Sequence, residues 1–280
     1  MATDTSKITQ AANDLSSGLT KGGGAAKTLG AEIANAFSSL DARVAALEAG
    51  TSTPPDPVEP PDPNPSTDGL IEDFNASNGA MFTIGGMRVE SQNANQSYCL
   101  KKTDDYTLRF EIHSGDRFVS SGHTDGTDVE RTEVEWAKYD YPMDALLTNT
   151  YDFTLHDGPA NTASWIVMGQ WHGTVAGNPP FIIGMQGDKM RISVRDSNNK
   201  EIYVYTDPQK TQREHKFQMR IENRFNPNGG TSKVWRDGEQ IVNYSGSFAG
   251  PGNKFFWKNG IYRAQAPEIF AASYGHMKIT

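Results

Sequence analysis

From residue 69 onward the chain is a succession of short runs in which apolar and polar side chains alternate, broken by Gly, Asn, Asp and Pro. Leu108, Phe110 and Ile112 mark one such run, Ile192 and Val194 another, and Phe217, Met219 and Ile221 a third. A period of two sends alternate side chains to one face, so each run predicts a strand with one buried side. The stretch KVWRDGEQIV places Asp237-Gly238 between two runs. Both positions tolerate positive φ, which predicts a tight hairpin. A dozen or more strands with no helical run between them predict an all-β domain over residues 69–280, a β-sandwich or jelly roll.

Residues 1–50 follow a different rhythm. Ile33, Phe37, Leu40, Val44 and Leu47 recur at spacings of four and three, and Ile8, Ala12, Leu15 and Leu19 repeat that spacing before a Lys21-Gly-Gly-Gly break. This is a heptad seam, and an amphipathic helix of this length needs its stripe covered. The expectation is a helical, coiled-coil segment that makes the chain a homo-oligomer. Residues 51–68 are dominated by proline and acidic residues and predict an extended spacer.

No run of eighteen apolar residues occurs, and the first residues lack the basic, apolar and small-residue order of a secretory signal. A membrane span and ordinary secretion are therefore not expected. Cys99 is the single cysteine, so no internal disulfide staples the fold, and it reads as a small buried hydrophobe. The net charge of −8 would repel a polyanion, but residues 1–69 hold nine acids against four bases, so the remainder carries only −3. No phosphate-binding glycine loop and no basic-aromatic pattern suggests nucleic acid.

Three strand-like segments carry ionisable residues where a buried face would be apolar. In VERTEVEW, Arg131, Glu133 and Glu135 share one face; in WIVMGQWH, Gln170 and His172 share one and Trp171 takes the other; in FFWKNGIYR, Lys258, Gly260 and Tyr262 lie together, opposite Trp257, Ile261 and Arg263. If these strands share a sheet, they assemble an Arg, a Gln, a His, a Lys and a Tyr. That set suits elimination from a uronate. The proton beside a carboxylate is weakly acidic until the carboxylate charge is neutralised, which suits Arg131 and Gln170. A base must take the proton and an acid must protonate the departing glycosidic oxygen, which suits His172 and Tyr262.

Arg131-Thr132-Glu133-Val134, Gln170-Trp171-His172 and Trp257-Lys258-Asn259-Gly260-Ile261-Tyr262 resemble, in order and type, the signature strands of jelly-roll polysaccharide lyases that act on alginate, and more closely the glucuronan and heparin lyase-like group. Gly-Asp-Arg-Phe at 115–118, Pro179-Pro180, VWRDG at 234–238 and the closing HMKI extend the likeness across residues 70–280. The resemblance implies a concanavalin-like jelly roll and a lyase of acidic polysaccharide. It also implies that Arg131 and Gln170 hold the uronate carboxylate, that His172 and Tyr262 exchange the protons, and that Lys258 contacts the sugar chain. Glu133, Arg263, Trp171 and His123 are further candidates for substrate contact. Trp171, Trp257 and Asn259 depart from the alginate pattern, which bears on the substrate more than on the reaction.

Two other readings compete. Glu133 and Glu135 lie roughly 7 Å apart along a strand, a spacing that a glycoside hydrolase could use. A non-catalytic sugar-binding module is the other, since this scaffold hosts many functions. No cofactor is required, and the histidines show no zinc spacing. Asp125, Asp128 and Glu130 read as a solvated loop, with a structural calcium ion as the alternative. A helix, a spacer and a polysaccharide-degrading domain together resemble phage depolymerases, which implies an extracellular or virion-associated enzyme, with residues 1–50 as the segment for attachment to a virion.

Overall fold

The computed structural model describes residues 68–280, apart from 137–139, 176 and 250–253. The helical segment, and all of the spacer but Asp68, lie outside the described residues. Described residues form seventeen strands and no helix.

Two antiparallel sheets stack on a shared core. The larger runs in the order β1 (Ile71–Glu72), β2 (Met81–Ile84), β3 (Met87–Gln92), β6 (Val129–Glu135), β16 (Lys254–Ala264), β9 (Ile166–Gly173), β10 (Phe181–Gln186), β11 (Lys189–Arg195) and β12 (Glu201–Thr206), with β7 (Tyr141–Pro142) also paired to β16. The smaller runs β15 (Glu239–Phe248), β14 (Asn226–Arg236), β13 (Lys216–Arg224), β8 (Leu147–Leu155), β17 (Phe270–Ile279), β5 (Thr107–Ile112) and β4 (Leu100–Lys102). The alternating runs become β5, β11 and β13, and their apolar positions are the buried ones. Asp237 and Gly238 both take positive φ, 52° and 80°, and close the hairpin between β14 and β15.

The core is aromatic. Trp171 and Trp257 of the larger sheet meet edge-on at 5.5 Å, and Phe225 packs against Trp171 and Phe255. Each such ring, fully buried, stabilises the sandwich by about 1.5–3 kcal/mol. Cys99 lies in this interior, and burial pushes its thiol up to about 11.

One tie between the sheets bears on function. Gly260 on β16 has φ +133°, and a Cβ there would lie 2.3 Å from the Thr132 carbonyl oxygen and 2.7 Å from the Glu133 Cα. No other residue fits. Around it the register of β16 against β9 shifts between Asn259 and Tyr262. From β17 the buried Tyr274 hydroxyl reaches across to this irregularity, 2.6 Å from the Met168 carbonyl oxygen and 3.0 Å from that of Gly260, sharing its proton between them.

Candidate active site

The outward face of the larger sheet carries a cleft of about 800 Å³ lined by residues of β3, β6, β16, β9, β10, β11 and β12. Seven adjacent strands span roughly 28 Å, so the cleft runs across the strands for the length of several sugar units. Strand register fixes what lies along it. One row across the sheet is Arg131, Tyr262, Val167, Gly184 and Arg191. A second, parallel row is Glu90, Glu135, Lys258, Gln170, Ile182, Ser193 and Tyr203. His172 follows two residues beyond Gln170 on β9, paired to Phe256 and stacked on its ring at 5.4 Å.

Beneath this floor sits Glu133, only 1% exposed. Its Oε2 accepts from Arg131 at 2.8 Å and Lys258 at 2.9 Å, and its Oε1 accepts from the Gln170 amide at 2.7 Å. One carboxylate thus aims three donors from three strands. Burial works against its charge, but Lys258 and Arg131 outweigh that and hold the carboxyl below its usual range. Asp125 grips the other edge of Arg131 at 2.9 and 2.8 Å, and the His123 ring lies 3.0 Å from the same carboxylate. Burial opposes the Arg131 charge too, yet Glu133 and Asp125 keep its pKa above the ordinary value. Three of its five N–H groups are committed, leaving two. Glu135 accepts from Gln92 at 2.7 Å and lies 3.6 Å from Lys258.

The protonation of the two candidate proton-transfer residues is set by their surroundings. His172 Nδ1 lies 2.7 Å from the Gly173 carbonyl oxygen. A carbonyl only accepts, so Nδ1 carries the proton and Nε2 of the neutral ring keeps a lone pair. Burial, reinforced by Lys258, lowers the His172 pKa and favours that neutral form. Tyr262 is half-buried beneath the Arg131 guanidinium, 3.8 Å from its ring centroid, with Trp165 edge-on at 4.9 Å. Burial raises the phenol pKa, and Arg131 only partly offsets it, so Tyr262 stays protonated.

A family model described as polysaccharide lyase matches residues 72–276. The chain belongs to the polysaccharide lyase family. Solved structures sharing the lyase's jelly-roll fold include alginate lyase A1-II′ of polysaccharide lyase family 7, 14% identical with a TM-score of 0.50, covering 66% of this chain and 84% of that one. A variant of that enzyme gives 14% identity and a TM-score of 0.52 over 69% of this chain and 93% of its own. Alginate lyase AlyC3 gives 12% and 0.50 over 79% and 94%. At such identities the likeness is one of fold. No curated protein sequence matches the chain.

Of the residues singled out from sequence, the lyase cleft brings together Arg131, Gln170, His172, Lys258, Tyr262 and His123. Three others need correction. Trp171 is 0% exposed and packs in the core, because its strand parity sends it away from Gln170 and His172. Arg263 is equally buried, bound to Glu130 at 2.6 Å and Glu268 at 3.2 Å, so it braces the sandwich and touches no sugar. Glu133 does not reach the cleft surface; it holds the residues that do. The hydrolase alternative needs both carboxylates against the sugar, and a Glu133 with no surface in the cleft cannot meet one. Asp125 and Glu130, read from sequence as part of a solvated loop, are instead buried and each paired with a guanidinium.

Sequence reasoning missed Asp125 as the clamp on Arg131, and it missed Tyr274. The Tyr274 hydroxyl secures the irregular segment from which Tyr262 projects, so it is a positioning residue. Tyr274→Phe is expected to cost about 1–2 kcal/mol through the orphaned carbonyls, and to lower kcat several-fold while KM changes little. A thermal melt with steady-state kinetics checks both. A variant that loses stability without any change in kcat would leave Tyr274 a purely structural tie.

Proposed function

We propose that the lyase cleaves an acidic, uronate-containing polysaccharide by β-elimination in this cleft. The observation that carries the reading is the His172 ring: neutral, with Nδ1–H given to Gly173 and Nε2 held as a lone-pair base, in one cleft with the protonated Tyr262. His172 Nε2 takes the proton from the carbon beside the uronate carboxylate. That electron pair becomes the new carbon–carbon double bond, the bond to the glycosidic oxygen breaks, and the Tyr262 hydroxyl protonates the departing oxygen. Charge developing on the carboxylate is met by the two uncommitted N–H groups of Arg131 and by Lys258 and Gln170, held in place before substrate arrives. His172 then returns its proton to Tyr262 through solvent.

Ultraviolet absorbance tests the reading directly, because elimination leaves an unsaturated uronate chromophore and hydrolysis does not. Alginate, glucuronan, heparin-like polymers and bacterial exopolysaccharides form the panel. On the polymer that is cleaved, kcat/KM is expected to fall in acid only as His172 protonates, below its ordinary value of about 6.5, and in base only above about 10, the ordinary tyrosine value. Reducing ends released without the chromophore would refute the mechanism.

A further inference from the structure

The reacting end of the cleft supplies no surplus of positive charge. Arg131 and Lys258 face Asp125, Glu133 and Glu135, two cations against three carboxylates. Directed N–H groups can still hold one carboxylate there, but attraction for a polyanion has to come from elsewhere along the cleft. Arg195, at the far end, is occupied: it pairs with Glu201 at 3.4 Å. Glu201 in turn accepts from Ser193 at 2.8 Å and from the Tyr203 hydroxyl at 3.1 Å.

Arg191 differs. It lines the cleft, and among the described residues its guanidinium has no carboxylate partner; it lies instead over the Tyr203 ring, 4.1 Å from the centroid. Tyr203 is 53% exposed, although it stands on a strand, β12, that lines the cleft. Tyr203 ends the second row on β12, in line with Gln170, and Arg191 stands in the first row, in line with Tyr262 and one strand short of Thr206. Between Tyr262 and Arg191 the row holds only Val167 and Gly184, and a Cβ at Gly184 would fall 2.3 Å from the Ile166 carbonyl oxygen. The floor is therefore kept low along this line. Arg191 stands three strands from Tyr262, roughly 14 Å, so it meets a different sugar unit from the one that reacts.

We propose that Arg191 and Tyr203 form a distal subsite for a second anionic sugar, the guanidinium pairing with its carboxylate and the tyrosine ring offering its face to the pyranose. A stacked guanidinium is held in one orientation and keeps its N–H edges outward, which suits a planar carboxylate. The assignment deepens the uronate-lyase reading and rests on it for the class of polymer, but not for the chemistry of cleavage.

The test measures binding of the whole chain to immobilised alginate, glucuronan and heparin, and to carboxyl-reduced alginate and glucuronan, alongside chromophore release. Arg191→Gln is expected to weaken binding to the preferred uronate polymer about tenfold, to flatten its dependence on salt, and to leave binding to the reduced polymer unchanged. Tyr203→Ala is expected to weaken both. For both variants the penalty in KM should disappear as oligosaccharides become too short to reach β11. Thermal melts check that both variants are folded; each residue sits at the surface of the cleft. Equal affinity of Arg191→Gln and wild type for the uronate polymer, or an equal loss on charged and reduced polymers, overturns the subsite. So does a wild type that binds none of the polymers. A wild type that binds through Arg191 yet releases no chromophore would overturn the elimination chemistry and leave the subsite standing.

Discussion

His172→Ala and Tyr262→Phe are each expected to lower kcat by about 100-fold or more, the scale of a lost general base or acid, with little change in thermal stability. Tyr262→Phe removes one oxygen and keeps the ring beneath Arg131 and against Trp165. His172→Ala removes the Nε2 lone pair, and the Gly173 carbonyl loses one bond at a half-buried position open to the cleft. Because base and acid act in one proton-transfer sequence, the double variant should lose little more than the worse single variant. Penalties that multiplied fully would mean that the two residues serve independent steps. Near wild-type turnover in both single variants would remove the pair from the chemistry altogether.

The fold was legible because its signal is local. Leu108, Phe110 and Ile112 alternate in the chain and alternate in burial, and Asp237-Gly238 takes the turn its residue types favour. Strand order was not legible, since β6 meets β16 across more than a hundred residues and nothing in either strand names the other. The irregularity at Gly260 was equally hidden. Its glycine is demanded by the Thr132 and Glu133 backbones of a neighbouring strand, a contact no periodicity reveals.

For the site, parity served well and its neglect served badly. Alternation alone puts Gln170 and His172 on one face and Trp171 on the other, and the buried Trp171 follows that rule. Arg263 shows the limit of reading a charge as a surface residue: paired with Glu130 and Glu268, it is a core ion pair. The cue to the distal end was present in Glu201-Ile202-Tyr203-Val204-Tyr205, a strand with apolar residues on both faces. An aromatic on the outward face of an edge strand costs solubility unless something covers it, and the Arg191 stack is part of that answer.

Glu133 carries the second large prediction, because two readings of the same carboxylate part company there. As a hydrolytic acid or base it would be replaceable by Gln without harm to the fold, and activity alone would vanish. As the buried anchor of Arg131, Lys258 and Gln170 it should behave otherwise. Removing one partner from a buried ion pair strands the others without compensation and typically costs about 3–5 kcal/mol. For a domain of this size, Glu133→Ala should therefore lower Tm on the order of 10 °C. Glu133→Gln keeps an acceptor oxygen and should lose less stability, while still letting Lys258 and Arg131 drift from their aim, so kcat falls in parallel. The depressed Glu133 pKa sets the pH dependence of that stability. Its contribution is present above the ordinary carboxylate value of about 4.3 and is lost as pH falls through the lower folded value. Wild type should consequently unfold more steeply with acid than Glu133→Gln, whose amide does not titrate. Thermal melts of the three proteins across the acid range, read beside kcat at neutral pH, decide the matter: an unchanged Tm for Glu133→Gln, with matching acid profiles, would show that Glu133 anchors nothing.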